Sequence, residues 1–456
     1  NMKALILLSS LGVITLLAEI FSFKKVLYPI VLLGLATIFV FNAMEWNTDM
    51  TYFKMMRYDN YAIAFSSVIL LVAFLWFLMS QDFFKDETNK TDHYALAIFA
   101  LTGAVLMVSY TNMSMLFLGI EILSIPMYIL AGSRKEDVLS NEAAFKYLIM
   151  GAFATGFLLF GIVLVYGSTG SFDLAEIAAA VSGQTAIPSI FYVGVLLMLI
   201  GLSFKVSAVP FHFWAPDVYQ GAPTVITAFM STIVKTAAFA AFLRLFSTSF
   251  ATVGNSWHQV LWVIAALTLL IGNITAVLQT STKRMLAYSS VAHAGYMLLA
   301  LLSGNSLSNS SILMYALAYS IASIGTFCII SIIDKARDTD AVDAFNGLGK
   351  SNPFLAGVMT VALLSLAGIP PTAGFFAKYY IFTSAFAAGN VSLVLIAIVA
   401  SLVGVYYYFR IIIGMYFKEG SKEKIELSAN HKALLIIVAL ATIALGLFPD
   451  CIIGLL

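Results

Sequence analysis

Charged residues are scarce in this sequence. Only 10% of its 456 residues are Asp, Glu, Lys or Arg, whereas 61% are hydrophobic. A soluble globular protein carries roughly 25% charged and roughly 45–50% apolar residues. With a mean hydropathy of +0.96, the chain has too little polar surface to cover a particle in water. This composition excludes a cytosolic enzyme, a secreted disulfide-linked domain and a nucleic-acid binder, and it predicts an integral membrane protein.

Cysteines and recognisable cofactor motifs are also scarce. The two cysteines, Cys328 and Cys451, stand in apolar runs and have no metal-site or redox spacing. The formal net charge of +1 indicates no strongly acidic partner. The sequence contains no Gly-rich phosphate loop, cysteine cluster, axial-ligand pair or nucleophile elbow. We therefore expect no cofactor and no metal in this chain, so any electron transfer must occur in another polypeptide.

Long apolar runs make up most of the chain. About 20 mainly apolar residues cross a bilayer as a helix, and the alternating pattern of outer-membrane strands is missing. Fourteen such runs follow one another, at 3–23, 26–43, 61–80, 93–110, 113–132, 143–167, 189–214, 223–248, 258–280, 285–303, 309–333, 353–387, 391–417 and 432–456. The sequence thus predicts an all-α integral membrane protein with fourteen transmembrane helices, called spans 1–14 in this order.

The basic residues between the spans predict the orientation, because cytoplasmic loops are enriched in Lys and Arg. Loops after odd-numbered spans hold fifteen: Lys24, Lys25, Lys85, Lys90, Arg134, Lys135, Lys283, Arg284, Lys335, Arg337, Lys350, Lys418, Lys422, Lys424 and Lys432. The N-terminal tail and the loops after even-numbered spans hold three: Lys3, Lys54 and Arg57. This asymmetry places the odd-numbered loops in the cytoplasm and both termini on the opposite side.

Prolines interrupt two of the spans. Span 7 ends near Pro210, and span 12 contains Gly368-Ile369-Pro370-Pro371. Proline removes a backbone hydrogen bond, and in lipid the freed carbonyls must be met by protein or water. A packing kink is the alternative explanation. We favour broken helices that line a hydrated cavity.

The positions of the broken helices predict an internal repeat. Span 12 follows span 7 by five helices, and a repeat with an odd number of helices inverts its second copy, as in many transporters. The matched ionisable groups agree, since Lys205 and Lys378 each lie near a break and Glu121 in span 5 corresponds to His293 in span 10. The predicted organisation is spans 1–3 in 1–92, spans 4–8 in 93–248, spans 9–13 in 258–417 and span 14 in 432–456.

Ionisable residues inside the spans are the candidate functional residues, because a charge at the bilayer centre costs about 2.5–3.5 kcal/mol or more. Seven are selected: Glu121, Lys146, Lys205, His212, Lys235, His293 and Lys378. Arg244 and Arg410 lie close to span ends, where a long side chain is expected to extend to the interface.

The deepest residues favour a proton relay. A static Glu121–Lys205 ion pair is the alternative, but it would leave Lys235 and Lys378 without an acidic partner at depth. Burial disfavours the charged form of a lysine, so an unpaired deep lysine can release and regain a proton.

The other three candidates allow two interpretations each. Lys146 lies one turn inside span 6 and could extend to the interface instead. His293 is either a relay group or a hydrogen-bonded core histidine. His212 lies nearer the cytoplasmic loop, and for it a relay role and a packing role stay equally open.

Three segments resemble a known family. They are Lys205-Val-Ser-Ala-Val-Pro-Phe-His-Phe-Trp-Ala-Pro-Asp-Val-Tyr-Gln-Gly-Ala-Pro223, Leu366-Ala-Gly-Ile-Pro-Pro-Thr-Ala-Gly-Phe-Phe-Ala-Lys378 and Leu118-Gly-Ile-Glu-Ile-Leu-Ser-Ile-Pro126. In these segments, and over nearly all spans, the chain resembles the antiporter-like, proton-translocating membrane subunits of respiratory complex I, NADH–quinone oxidoreductase. It looks like the N type, because it has the Asp217–Pro223 run, no long lateral helix after span 14, and lysine at 378 where the M type has glutamate.

The resemblance implies roles for the candidate residues. Glu121 and Lys205 would form a coupled pair, Lys235 would connect the two halves and Lys378 would be the terminal proton carrier. Lys146 and His293 match positions of the same polar axis.

The resemblance also implies a function and a location. The chain would translocate protons in a bacterial cytoplasmic (inner) membrane, with both termini on the periplasmic side, beside other membrane-arm subunits. NADH, FMN, iron–sulfur clusters and quinone would act in those partner subunits. A cation/proton antiporter subunit of the same superfamily and a non-pumping scaffold are the alternatives.

Overall fold

A computed structural model describes residues 2–21, 23–85, 89–182 and 187–456. Within them, twelve helices are long and apolar enough to cross a membrane, as expected for an all-α membrane protein. The helices are α1 (Lys3–Ile20), α2 (Leu27–Ala43), α3 (Asn60–Lys85), α4 (Lys90–Ser109), α5 (Met113–Ala131), α6 (Val138–Thr169), α7 (Leu174–Ser182), α8 (Ser189–Lys205), α9 (Trp214–Gly221), α10 (Thr224–Phe229), α11 (Lys235–Thr248), α12 (Gly254–Val277), α13 (Thr282–Ser303), α14 (Ser308–Arg337), α15 (Leu348–Ser351), α16 (Pro353–Ala367), α17 (Ala373–Ala387), α18 (Val391–Phe417), α19 (Ala429–Leu447) and α20 (Asp450–Ile453).

The predicted spans 7 and 12 are both interrupted. In span 7, α8 ends at Lys205 and α9 begins at Trp214. In span 12, α16 ends at Ala367 and α17 begins at Ala373. The other twelve predicted spans coincide with the twelve long apolar helices. Span 14 is shorter than expected, because α19 ends at Leu447, just before Pro449.

Span 8 contains a feature that the sequence did not predict. Between α10 and α11, residues Met230–Val234 form a π-helical turn that ends directly before Lys235. Such turns inside α-helices are rare and occur frequently at functional sites. The helix that carries Lys235 is therefore irregular at the turn that precedes it.

A small hairpin lies between α2 and α3. Strands β1 (Met50–Tyr52) and β2 (Met56–Tyr58) pair antiparallel. Asp59 follows β2 and accepts a hydrogen bond of 2.7 Å from Nη2 of Arg244, a side chain that is only 8% exposed. Arg244, which was expected to extend to the interface, is thus paired with a carboxylate of the loop that precedes α3.

Arg410 is also anchored inside the protein. Its guanidinium donates to the carbonyls of Val277 (3.0 Å) and Gln279 (2.6 Å), where α12 ends. The last carbonyls of a helix have no partner within it, so a cation there satisfies them. The guanidinium of Arg410 therefore binds main-chain carbonyls at the end of α12.

Helices α4 and α5 touch backbone to backbone. A Cβ added at Gly103 of α4 would lie 2.5 Å from the backbone nitrogen of Leu123 and 2.8 Å from the carbonyl of Gly119, both in α5. Small residues permit such close approach between membrane helices. Gly103 therefore fixes the position of α5, the helix that carries Glu121.

We expect Gly103→Val to destabilise the protein. The added side chain meets backbone atoms that cannot rotate away, and overpacking a well-packed core typically costs about 1–3 kcal/mol. The matched control is Gly156→Val, because nothing lies within 4 Å of a Cβ at Gly156 of α6. The thermal midpoint of the detergent-solubilised complex should fall for Gly103→Val alone. Equal midpoints for both variants would contradict the close packing.

Candidate functional site

Lys205 is buried at the last turn of α8 and contacts α5. Its Nζ donates a 2.6 Å hydrogen bond to Oγ of Ser124 and lies 5.8 Å from the ring centre of Tyr128. Glu121 lies three residues before Ser124 on the same helix. Within the described residues no ion pair joins Glu121 to Lys205, and the buried Oε1 of Glu121 has no hydrogen-bond partner. Lys205 therefore contacts Ser124 directly, one helical turn from Glu121.

His212 lies in the break between α8 and α9. Its ring is buried, and Nδ1 has no hydrogen-bond partner among the described residues. The nearest ring is Phe213, at 4.6 Å between centres. No hydrogen bond in the described part of the chain joins His212 to the other six candidates, so its relay and packing interpretations both stay open.

Lys146 belongs to a cluster of charged residues rather than to a lysine chain. Its Nζ lies 2.6 Å from Oδ2 of Asp217 and 2.6 Å from Oε1 of Glu142. The other oxygen of Asp217, Oδ1, accepts a 2.7 Å hydrogen bond from Nη1 of Arg284. The Lys146 side chain is 36% exposed. The structure thus pairs Lys146 with carboxylates and does not bring it to Glu121 or Lys205.

Lys235 connects α11 to α13. Its buried Nζ donates to the carbonyl of Ser290 at 2.6 Å and also to Oγ of the same serine. The ring centre of Tyr319 lies 6.0 Å away. Ser290 stands one turn before His293 on α13. Within the described ranges, Lys235 is therefore hydrogen-bonded to hydroxyl and carbonyl oxygens and not to a carboxylate.

His293 is hydrogen-bonded at both ring nitrogens. Nδ1 lies 2.6 Å from the hydroxyl of Tyr315 in α14, and Nε2 lies 3.0 Å from that of Tyr408 in α18. The Tyr408 hydroxyl also bonds to Oγ of Ser289. Each hydroxyl can donate or accept a hydrogen bond. His293 is therefore connected by exchangeable protons to the serine next to Ser290.

Lys378 caps the first half of the broken span 12. Its Nζ donates to the carbonyl of Ala367, the last residue of α16, at 2.8 Å and to Oγ of Ser401 at 2.8 Å. The negative end of a helix dipole favours a cation at this position. Gly368 has a φ of +83°, and a Cβ there would lie 2.8 Å from Cδ of Lys378. Only glycine suits both that backbone conformation and that space.

A small cavity separates His293 from Lys378. It measures about 10 Å³ and is lined by both residues together with Tyr315 and Tyr319. A cavity of about 10–15 Å³ holds one water molecule if polar groups surround it. With Ser365, the lining supplies three hydroxyls, an imidazole and an amine. One water molecule there would bridge the gap between His293 and Lys378.

The candidate residues therefore fall into separate groups. Lys235, His293 and Lys378 form one group: Lys235 binds Ser290, His293 is linked through Tyr408 to the adjacent Ser289, and the small cavity lies between His293 and Lys378. Lys205 and Glu121 form a second group around Ser124. No hydrogen bond in the described residues links Lys205 or Ser124 to Lys235. In the same part of the chain, no group of three His, Cys, Asp or Glu side chains could hold a metal ion.

Sequence reasoning missed the hydroxyl residues of these groups. Ser124 lies three residues after Glu121, and Ser290 lies three before His293, so both could have been found as isolated polar residues one helical turn from a candidate. Tyr408 and Ser401 belong to span 13. Their contact with the site depends on how helices distant in sequence pack together. No local sequence pattern predicts that packing.

Comparison with known proteins agrees with the family resemblance. A family model described as "NADH:quinone oxidoreductase/Mrp antiporter, TM" matches residues 110–404. NADH-quinone oxidoreductase subunit N of Cytophaga hutchinsonii is 47% identical over 456 residues, which cover 98% of this chain and 98% of the relative. The chain belongs to the NADH-quinone oxidoreductase subunit N family. The predicted resemblance to the antiporter-like membrane subunits of complex I is confirmed.

Solved structures share the fold of this subunit N family member. A chain of respiratory complex I from Thermus thermophilus with bound aureothin is 32% identical, with a TM-score of 0.85 over 99% of this chain and 98% of that one. A chain of the Mrp complex from Dietzia sp. DQ12-45-1b has a TM-score of 0.88 over 100% and 96%, at 20% identity. The second likeness concerns the fold alone.

The connection through Tyr408 can be tested by removing one oxygen atom. We expect Tyr408→Phe to lower the number of protons translocated per NADH oxidised, because His293 and Ser289 lose their shared hydroxyl. Leaving buried polar groups unpaired costs about 1–3 kcal/mol. The control is Tyr406→Phe on the same helix, whose ring is 60% exposed. If both variants translocate protons as the unmodified protein does, Tyr408 is not part of the path.

Proposed function

We propose that this protein translocates protons across a bacterial cytoplasmic membrane as part of NADH:quinone oxidoreductase. Quinone reduction in partner subunits would supply the energy, and NADH, FMN, iron–sulfur clusters and quinone would act there. The other membrane-arm subunits are the partners. Family membership supports the assignment. The single observation that carries it is the hydrogen-bonded group of Ser289, Tyr408 and His293, which lies between the serine next to the Lys235 partner Ser290 and the water-sized cavity beside Lys378.

The topology is part of the same proposal. The two interrupted helices, α8–α9 and α16–α17, would cross as spans 7 and 12 and bring the number of crossings to fourteen. Spans 4–8 and 9–13 would form two inverted units, each with a lysine beside its break. Both termini would lie on the periplasmic side, since fifteen loop Lys and Arg residues against three favour odd-numbered loops in the cytoplasm.

The path from Lys235 to Lys378 has the chemistry of a relay. Lys235 holds a proton on Ser290 without a carboxylate partner, so burial lowers the cost of releasing it. The hydroxyl of Tyr408 accepts one proton as it gives up another, and its net charge does not change. His293 passes protons in the same way between its two ring nitrogens. The water-sized cavity then leads to Lys378.

Lys378 can serve as the terminal carrier. As an ammonium it is stabilised by the carbonyl end of α16. As a neutral amine it keeps N–H donors for the same carbonyl, so release of a proton does not leave the helix end unpaired. The break at residues 368–372 interrupts the helix beside it, where water can satisfy the backbone.

Glu121 and Lys205 would control the relay from the other group. Protons would enter from the cytoplasm near the break of span 7, beside His212. When Glu121 and Lys205 move together, the carboxylate would compensate the positive charge of the lysine. When they move apart, Lys235 would experience that positive charge. The unpaired Oε1 of Glu121 supports this role, because the carboxylate has an unused acceptor.

Lys235→Arg separates a relay role from a static one. Arginine keeps the positive charge but does not release its proton in proteins, so we expect this variant to lose proton translocation per NADH oxidised. Lys135→Arg, in an exposed loop, should translocate protons normally. Full activity of Lys235→Arg in the assembled complex would show that only the charge is needed.

Two variants of similar size at Lys378 test whether titration is required. Lys378→Gln can still donate to Ala367 and Ser401 but carries no exchangeable charge, whereas Lys378→Glu can gain and lose a proton. We expect Glu to retain more translocation than Gln. Proton uptake into reconstituted vesicles, normalised to NADH oxidation and to assembled complex, measures both.

If Lys378→Gln translocates more protons than Lys378→Glu, the role of Lys378 is to cap the end of α16. If Lys378→Gln matches the unmodified protein, the lysine serves only to satisfy the end of α16. A non-pumping scaffold would then remain as the function of the second half of the chain.

A further inference from the structure

Asp217 joins three elements that the chain separates widely. It lies on α9, and its two carboxylate oxygens are divided between Lys146 of α6 (2.6 Å to Oδ2) and Arg284 of α13 (2.7 Å to Oδ1). Nη1 of Arg284 also lies 3.2 Å from Oε1 of Gln220, again on α9. A carboxylate with two oxygens can accept from two cations at once. One side chain therefore links the first proposed unit to the second.

The charges in this cluster favour an ionised aspartate. The hydrogen bonds from Lys146 and Arg284 stabilise the negatively charged form of Asp217. Glu142 adds a second carboxylate to Lys146, from the same helix. The link is only partly exposed, with about a third of each side chain of Asp217 and Arg284 accessible (35% and 32%).

The helix that carries Asp217 also holds the end of α8. Trp214, the first residue of α9, stacks on Tyr147 with ring centres 4.7 Å apart and planes at 8°. Its Nε1 donates a 3.2 Å hydrogen bond to the carbonyl of Phe204, the neighbour of Lys205. If α9 moves, the hydrogen bond from Trp214 to Phe204 therefore moves the backbone next to Lys205. Asp217 and Trp214 lie within a single turn of each other on α9.

We propose that Asp217 is a positioning residue for the proton relay, fastening α9 between Lys146 and Arg284 so that Lys205 stays on Ser124. The inference rests on the proposed function. Asp217 itself carries no proton in this account. Its anionic form holds two cations from different units at one point, and loss of either contact frees α9 to move the break of span 7.

Substitutions at Asp217 test the role of its charge. Asp217→Asn keeps the shape but weakens both contacts, and we expect a roughly twofold or larger fall in protons translocated per NADH by assembled complex, a typical effect for a coupling residue. Asp217→Glu restores the charge and should recover translocation. Glu142→Gln should lose less than Asp217→Asn, because Lys146 and Arg284 remain joined.

Combining substitutions tests the link between the units. If Asp217 acts by holding Arg284, then Arg284→Gln should reproduce the loss, and the double variant should lose no more than Asp217→Asn alone. Additive losses would overturn the link, as would normal translocation by Asp217→Asn or a failure of Asp217→Glu to exceed it.

The test also distinguishes the inference from the proposed function. Lys378→Gln is measured in parallel, in the same vesicles. Normal translocation by that variant contradicts the relay itself. Loss of translocation by Lys378→Gln together with normal translocation by Asp217→Asn and Arg284→Gln contradicts only the positioning role.

Discussion

The interior of a membrane offers no water to a free carbonyl or an ammonium group, and the site is built around this constraint. The protein satisfies its deep cations mainly with neutral oxygens. Lys378 bonds to the carbonyl of Ala367, Lys235 to that of Ser290, and Lys205 to the hydroxyl of Ser124. A carboxylate would hold a lysine proton much more firmly. Carbonyls and hydroxyls stabilise the ammonium only partly, and the proton stays exchangeable.

The sequence predicted the features that depend on local composition. Apolar length located twelve helices that the structure confirms as long enough to cross a membrane. The prolines located both interruptions, and the helices end at Lys205 and Ala367. Helix ends follow from the missing donor and steric clash of proline, which a single sequence displays directly. The candidate lysines were found in the same way, since a charge in an apolar run is visible without any fold.

The partners of those residues depend on tertiary structure, and the sequence could not supply them. Lys146 was placed on the polar axis, yet its carboxylate partner Asp217 lies 71 residues away on the far side of the break. Tyr408 lies 115 residues from His293. The π-helical turn before Lys235 could not be predicted either, because no local sequence pattern indicates it. Resemblance suggested a coupled Glu121–Lys205 pair, and it could not supply Ser124, the residue to which Lys205 donates its hydrogen bond.

The separation between Lys205 and Lys235 has a physical purpose in a coupled pump. A path that conducted protons continuously would let them flow back and dissipate the gradient that it builds. From Lys235 to Lys378 the exchangeable groups lie close together, and the gaps are the step from Ser290 to the neighbouring Ser289 and the water-sized cavity. The described residues supply no hydrogen bond from Ser124 or Lys205 to Lys235. Transfer between the groups therefore requires a change of conformation or hydration. The contact of α9 with the end of α8 through Trp214 and the π-helical turn before Lys235 lie on the two sides of this gap.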